Sequence, residues 1–458
     1  MINRKSKKYK MQKNSQVFLI ILFLTTHGYS QQIKIEISNS SFSKAEVSYL
    51  EGEKTFFIDS IISKDSGKFS FQIENKHTGF YRLAFTNNLW INFIYDGEDV
   101  NLQTNAEAVL DNMKVINSQI NELYYDFVRL NKAYKTKTDL LQLILTRYPK
   151  DDEYFEVTKN RVAQLQNEYR NFVENVSLQM PNSFIERYVN SSQLPIVDFT
   201  LPLEEQLTYL KTHALDKVDF NDTGLIYSDV FTNKSIEYLM YYRNPQLPKE
   251  LLEKEFMVAV DTLLSKAKVN PLVYQHITDY LIDGFKKFGF DAAIDYIVKN
   301  YVIVDDLCLD EETESSIQKR IDQAKLLNVG AIVPNVILPD SNGSEIDLGN
   351  LNANKTLIVF YSSWCPHCQE LLPELYKLYK KQNNLEVYAI SLDEEKKAWL
   401  DFVKTHSLDW INVSDQKGWN SKAASDYYIY ATPTMFLVNR DRKIVGKPLT
   451  YDELMKLL

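Results

Sequence analysis

Two cysteines in one helical turn, Cys365 and Cys368 with Pro366 and His367 between them, are the residues of this sequence whose types and spacing could do chemistry. A Cys-x-x-Cys pair serves either as half of a metal site or as a dithiol that cycles with a disulfide. The metal reading needs two more ligands at workable spacing, and the sequence does not supply them. Cys308 is the only other cysteine, and His276 and His406 stand alone. A purely structural disulfide closing so short a loop would add little stability. Redox exchange therefore fits best, with no metal and no cofactor beyond the redox-active cysteine pair.

That chemistry needs one thiol that ionises and one that can reach it. The apolar run Leu357 to Tyr361 predicts a buried strand ahead of the pair. Gln369 to Lys381 predicts an amphipathic helix after it, with Leu371, Leu372, Leu375, Leu378 and Tyr379 on one side. The pair thus falls where a strand ends and a helix begins. Free N–H groups and the helix dipole favour an anion there, so Cys365 is the expected ionised, exposed nucleophile. Cys368, one turn later, is placed to attack a mixed disulfide on Cys365. His367 would further stabilise the thiolate when it carries charge.

Trp364-Cys365-Pro366-His367-Cys368, with Pro373 five residues later, resembles the active-site segment of the thioredoxin superfamily. Thr432-Pro433-Thr434 before the apolar run Met435 to Val438 is similar to that family's cis-proline loop, and Asn439 to Lys443 to its closing turn. The lead-in Gly330 to Leu338, Asp340 to Leu348 and an extra unit over Leu385 to His406 resemble the exported TlpA/ResA branch. The resemblance covers about the last 130 residues. It implies an α/β thioredoxin fold, thiol–disulfide oxidoreductase activity, and Thr432 and Pro433 beside Cys365, where backbone can pair with a substrate chain. Trp364 would cover the approach, or simply pack. Two departures stand out. The family's buried strand Asp corresponds to Val359, and the Glu of ResA-like proteins corresponds to Leu371. Glu370 and Glu374 are the carboxylates left nearby for proton handling, although helical spacing turns Glu370 about 100° away.

The 458 residues leave room for two to four domains. A net charge of −9 argues against nucleic acid as a partner. Residues 1–30 look like an export signal. Arg4, Lys5, Lys7, Lys8, Lys10 and Lys13 precede the apolar Val17 to Leu24, and Gly28-Tyr29-Ser30 offers a cleavage site near Ser30. An uncleaved membrane anchor is the alternative, but the apolar core is 8 residues long, and a spanning helix needs roughly 20. No cysteine follows it for a lipid anchor. Cleavage removes six positive charges, taking the net charge from −9 to −15. Export places the protein in the periplasm, with membrane association left open.

Residues 31–105 predict a small β-sandwich, from the alternation of Ile33, Ile35 and Ile37 and of Phe69, Phe71 and Ile73, with turns at Ser66-Gly67 and Asp96-Gly97. Tyr49-Leu50 through Tyr81-Arg82-Leu83 resembles the β-domain found ahead of exported thioredoxin domains. Residues 106–328 predict helices, beginning with Ile116, Ile120, Leu123, Tyr124, Phe127 and Leu130. Asn270-Pro271 marks a helix start. The aromatic run Tyr238 to Tyr242 is core or, alternatively, a substrate groove. Cys308, in the apolar stretch Val302 to Leu309, predicts a small buried hydrophobe, with a regulatory or intermolecular disulfide as the alternative for an odd cysteine in an exported chain. Residues 329–458 form the thioredoxin-like unit, with Asp393-Glu394-Glu395 opening a helix and a mostly parallel sheet covered on both faces.

The whole is thus a multidomain chain: a small all-β N-terminal domain, an all-α middle region and a C-terminal α/β thioredoxin fold. Its partners would be protein or peptide thiols and disulfides, with a membrane thiol-reductant donor if it reduces. Fold resemblance favours a reductase, whereas the Pro-His pair matches strongly oxidising periplasmic oxidases and pulls toward oxidase or isomerase. A helical scaffold with a secondary redox site is the other reading. A peroxidase is disfavoured, because Ser362 and Ser363 precede Cys365 without the proline that peroxiredoxins carry.

Overall fold

A computed structural model describes residues 31–458 apart from 75, 87 and 383. The expected signal segment, residues 1–30, lies outside the described residues.

Alternating apolar residues build the first layer. β1 (Ile33–Ser38), β2 (Lys44–Glu51), β3 (Lys54–Ile62), β4 (Lys68–Phe71), β5 (Gly79–Thr86), β6 (Leu89–Tyr95), β7 (Val100–Asn105) and β8 (Lys114–Asn117) form two four-stranded sheets, ordered β4-β1-β7-β8 and β3-β2-β5-β6. Ile33, Ile35 and Ile37 point inward, as the period of two requires. Phe71 of one sheet meets Phe93 of the other edge to face, ring centroids 6.3 Å apart.

The strands run beyond residue 105. Ile116, expected in a helix, lies in β8, which pairs antiparallel with β7. Ser118 then caps α1 (Gln119–Arg147) by accepting from the Asn121 N–H. Asn121 is fully buried and its amide exchanges two 2.8 Å hydrogen bonds with the backbone of Ile94. The side chain thereby takes the place of a strand neighbour for β6, while pairing of β8 with β7 as far as Asn117 leaves the helix to begin after Ser118. The middle of the chain continues with α2 (Glu153–Gln179), α3 (Phe184–Ser192), α4 (Leu203–His213), α5 (Val230–Met240), α6 (Lys249–Ala267), α7 (Pro271–Phe288), α8 (Asp291–Ile297) and α9 (Glu311–Leu326). Asn270 caps α7 by accepting from Leu272 and Val273, with Pro271 in the first turn. Among the described residues no helix is long and apolar enough to cross a membrane.

One apolar core runs from Ile33 through the sheets and helices to Ile321. The border expected at 105/106 falls inside it, so the strand and helical regions stabilise each other. Of the aromatic run, Tyr238 is buried in this core, Tyr241 and Tyr242 pack against it half-buried, and Met240 is exposed. Cys308 departs from expectation and is exposed. Val302 and Leu309 take the buried ends of its stretch, and Val304 to Asp306 and Cys308 turn outward.

A separate unit begins at Leu327. β9 (Ile337–Pro339) and β10 (Glu345–Asp347) form a hairpin. β11 (Lys355–Tyr361), α10 (Pro366–Tyr379), β12 (Leu385–Ser391), α11 (Lys396–Thr405), β13 (Ile411–Val413), α12 (Lys422–Asp426), β14 (Thr434–Asn439), β15 (Ile444–Gly446) and α13 (Tyr451–Leu457) follow. The five-stranded sheet is ordered β13-β12-β11-β14-β15. β11 is central and buried on both faces, which is why it reads as a continuous apolar run. Even-numbered residues such as Ile358 and Phe360 enter one core, and Leu357, Val359 and Tyr361 enter the other with Cys368.

The sheet is mixed rather than mostly parallel. β12 and β13 run with β11, but β14 pairs antiparallel with it, Thr434 opposite Phe360. The chain enters β14 from the loop at the C-terminal end of β11, so it must run the other way. That entry brings Thr432 and Pro433 to the end of the sheet where β11 delivers the cysteines.

Candidate active site

Tyr361 closes β11, Ser362 to Cys365 turn, and Pro366 opens α10, where its fixed φ and missing N–H suit the first helical position. Cys365 is the helix N-cap residue and its side chain makes no cap hydrogen bond. Its thiol is therefore left at the positive end of the helix. The Sγ lies 3.3 Å from the carbonyl oxygen of Thr432, to which the protonated thiol donates. The Thr432-Pro433 bond is cis. Cys365 is 6% exposed, less than a free nucleophile was expected to be, because this loop covers it.

Cys368 sits one turn deeper and is fully buried. Burial pushes its thiol well above the ordinary range, and the neighbouring Cys365 adds to the rise against an opposing hydrogen bond from the Ser362 backbone. Both cysteines are free thiols. The geometry thus separates two thiols, one at a helix N-terminus and one kept neutral behind it.

The loop before Cys365 is anchored by a residue that sequence reasoning placed elsewhere. Asp393 does not open α11, which starts at Lys396. It is 2% exposed and turned toward Ser363. The Ser363 backbone N–H donates to both carboxylate oxygens at 3.1 Å, the Ser363 hydroxyl donates at 2.7 Å and the Ser391 hydroxyl at 2.6 Å. The signal was positional. Ser391 pairs with Tyr361 in parallel register, so the residues just past both strands converge at one end of the sheet. Beneath, the Trp399 indole N–H donates to the Tyr361 hydroxyl at 3.0 Å, both side chains buried.

A cleft of about 900 Å³ opens beside the pair. His367, Glu370, Glu374, Thr432 and Pro433 line one wall, and Asp295, Lys299 and Arg320 of the helical region line the other. Leu371 shares the first wall with its neighbour Glu370. Among the described contacts neither Glu370 nor Glu374 bonds a cysteine. Trp364 is 59% exposed and lies outside the cleft lining, which fits an outer contact better than packing. Lys447, unremarked in the sequence, also faces the cleft. Its ammonium lies 5.5 Å from the Phe436 ring centre, and burial brings it down to about 8, with Lys299 adding to the drop. Val359 is fully buried between Ala389 and Met435.

Comparison with known proteins fits this geometry. Residues 329–447 match the AhpC/TSA family. The thiol-disulfide oxidoreductase ResA of Bacillus cereus is 31% identical over 123 residues, spanning 26% of this chain and 69% of the relative. This chain belongs to the ResA-like thiol–disulfide oxidoreductases. The sporulation thiol-disulfide oxidoreductase A of Bacillus subtilis is 30% identical over 132 residues, 27% of this chain and 77% of that one. A solved thiol-disulfide oxidoreductase from Bacteroides fragilis is 31% identical, covering 28% of this chain and 99% of its own, with a TM-score of 0.26. As a ResA-like enzyme with a thioredoxin fold, the chain carries its redox unit at the C-terminal end. The strand and helical regions before residue 329 lie outside the family match.

Proposed function

We propose that this ResA-like protein is exported and reduces disulfides in other proteins or peptides through Cys365 and Cys368. One observation supports the reading: Cys365 stands at the N-terminus of α10 with its thiol free of any cap bond, while Cys368, a turn behind, is buried and kept protonated. The Cys365 thiolate attacks one sulfur of a substrate disulfide, forming a mixed disulfide and releasing one substrate thiolate. Cys368 then loses its proton and attacks the Cys365 sulfur. That step forms the Cys365–Cys368 disulfide and releases the second substrate thiol. Two electrons pass to substrate, and the released thiolates take up two protons. A thiol donor, membrane-bound if the protein works in the periplasm, must return the two electrons.

The remaining roles follow position. His367, exposed in the first turn of α10, adds positive charge near the thiolate when protonated. Thr432 and Pro433 offer backbone to an extended substrate, and Trp364 meets it from outside. Glu370 and Glu374 are the carboxylates of the cleft able to take the Cys368 proton through water. The basic, apolar and small-residue segments of residues 1–30 support export. His367 is the feature that favours a second reading, donation of disulfides, in which the same steps run backward.

Replacing Cys368 by Ser tests the scheme. In a Cys308→Ser background, which removes the exposed third thiol, the variant should accumulate a mixed disulfide with an unstructured peptide carrying one disulfide, and Cys365→Ser should form none. Trapping that persists without Cys365 would overturn the assignment.

A further inference from the structure

Among the described residues, a set of side-chain contacts joins the helical region to the segment before Thr432. Arg320 on α9 is 12% exposed at its side chain and donates to Asp295 at 2.7 Å and also to Asp291. Tyr430, two residues before Thr432, donates its hydroxyl to the same Asp295 carboxylate, 2.9 Å from each oxygen. The Arg320 guanidinium lies over the Tyr430 ring, 4.1 Å from its centre. One turn further along α9, the Gln323 amide donates to the carbonyls of Tyr427 and Tyr428 at 3.1 and 3.3 Å. Four contacts thus hold the segment that ends at the Thr432 carbonyl, the acceptor for Cys365.

We propose that Asp295, Arg320 and Tyr430 form a clamp by which the helical region positions the proline loop against Cys365 for an extended substrate chain. They are positioning residues, acting through Thr432 and Pro433. The inference rests on the reading that Cys365 exchanges with such a chain. Its physical basis is the cost of ordering. A loop that accepts a substrate backbone loses affinity in proportion to the freedom it must give up on binding. Here that freedom is removed beforehand by a charge-assisted hydrogen bond and a stacked guanidinium. The second wall of the cleft comes from the same helices, so docking of the helical region both shapes the site and stiffens it.

Two measurements on the mature full chain test this, with Cys308→Ser in every sample. Tyr430→Phe removes the hydroxyl while keeping the ring under Arg320, and Arg320→Ala and Arg320→Lys bracket the charge. Hydrogen exchange of the 428–434 amides needs no substrate, so it reads the clamp even if the peptide reaction fails. It should quicken about tenfold in Tyr430→Phe, the scale of one hydrogen bond to a charged group. Unchanged exchange overturns the clamp. In reduction of the one-disulfide peptide, KM should rise about tenfold with a smaller change in kcat, and Arg320→Lys should recover part of what Arg320→Ala loses. Loosened amides with an unchanged KM, or an equal loss in kcat alone, overturn the positioning role. A wild-type protein that leaves the peptide oxidised refutes the reductase reading, and KM is then read in the oxidising direction.

Discussion

Asp393→Ala should slow exchange at Cys365 although Asp393 touches neither sulfur. The buried carboxylate accepts three donors: the Ser363 N–H, the Ser363 hydroxyl and the Ser391 hydroxyl. Hydrogen bonds to charged groups contribute about 1.5–3 kcal/mol each. The two hydroxyls can rotate toward other partners, so the full sum is not lost. The Ser363 N–H cannot, and its desolvated state alone costs about 1–3 kcal/mol. A net destabilisation of about 3 kcal/mol follows, read as a lower urea midpoint at constant slope. The Ser363 segment also sets where Cys365 begins α10, through the Cys365 N–H to the Ser362 carbonyl and the Gln369 amide to the Ser363 carbonyl. Misplacing a reacting atom by about an ångström costs on the order of a hundredfold. Stopped-flow exchange with the peptide disulfide should therefore slow ten- to a hundredfold in molecules that are still folded. Asp393→Asn, which retains one acceptor for the N–H, should fall between. A destabilised Asp393→Ala protein that exchanges at the wild-type rate would refute the anchoring argument.

Iodoacetamide at neutral pH should label Cys365 and, once Cys308 is replaced, spare Cys368, whose thiol burial holds above its ordinary range; mass spectrometry of the alkylated peptides reads the ratio. Because the folded Cys368 value is raised, the stability it contributes is present below about pH 8.5, the unfolded thiol value, and is lost as the pH rises beyond it. Asp279, buried on α7 where its carboxylate accepts from the Asp310 N–H, provides a second pH test. Burial first, and the Asp310 carboxylate second, raise it to about 8. Its contribution is full below about pH 4 and lost as the pH rises to that raised value, so Asp279→Asn should melt higher than wild type at pH 8 and show a flatter profile. Asn121→Ala should cost about 2–4 kcal/mol, because both polar groups of Ile94 lose their partner in a dry core; an unchanged urea midpoint would contradict that.

What the sequence made legible was whatever local pattern decides. The Cys-x-x-Cys spacing, the apolar run of β11, Pro366 in the first turn and the Thr-Pro-Thr segment each carry their physics within a few residues. The missed features depend on contacts between distant segments. Asp393 resembled a helix-starting acid until register brought it under Ser363. Lys447 and Arg320 look like surface cations until the cleft and the clamp bury them. Ile116 has helical spacing from Ile120, yet strand pairing with β7 and the Asn121 anchor take precedence over that spacing. Cys308 sits in an apolar stretch too short to bury every residue. The shared core of the strands and helices could not be read from composition, because both regions carry enough apolar residues to form cores of their own.

The most direct test is an equilibrium redox titration of the Cys308→Ser protein in defined thiol buffers. One reversible two-electron transition that disappears in Cys365→Ser is the predicted result. A midpoint near thioredoxin's, about −270 mV, supports the reductase direction, and one near about −120 mV assigns disulfide donation through the influence of His367. No reversible transition, or one that survives without Cys365, would contradict the account.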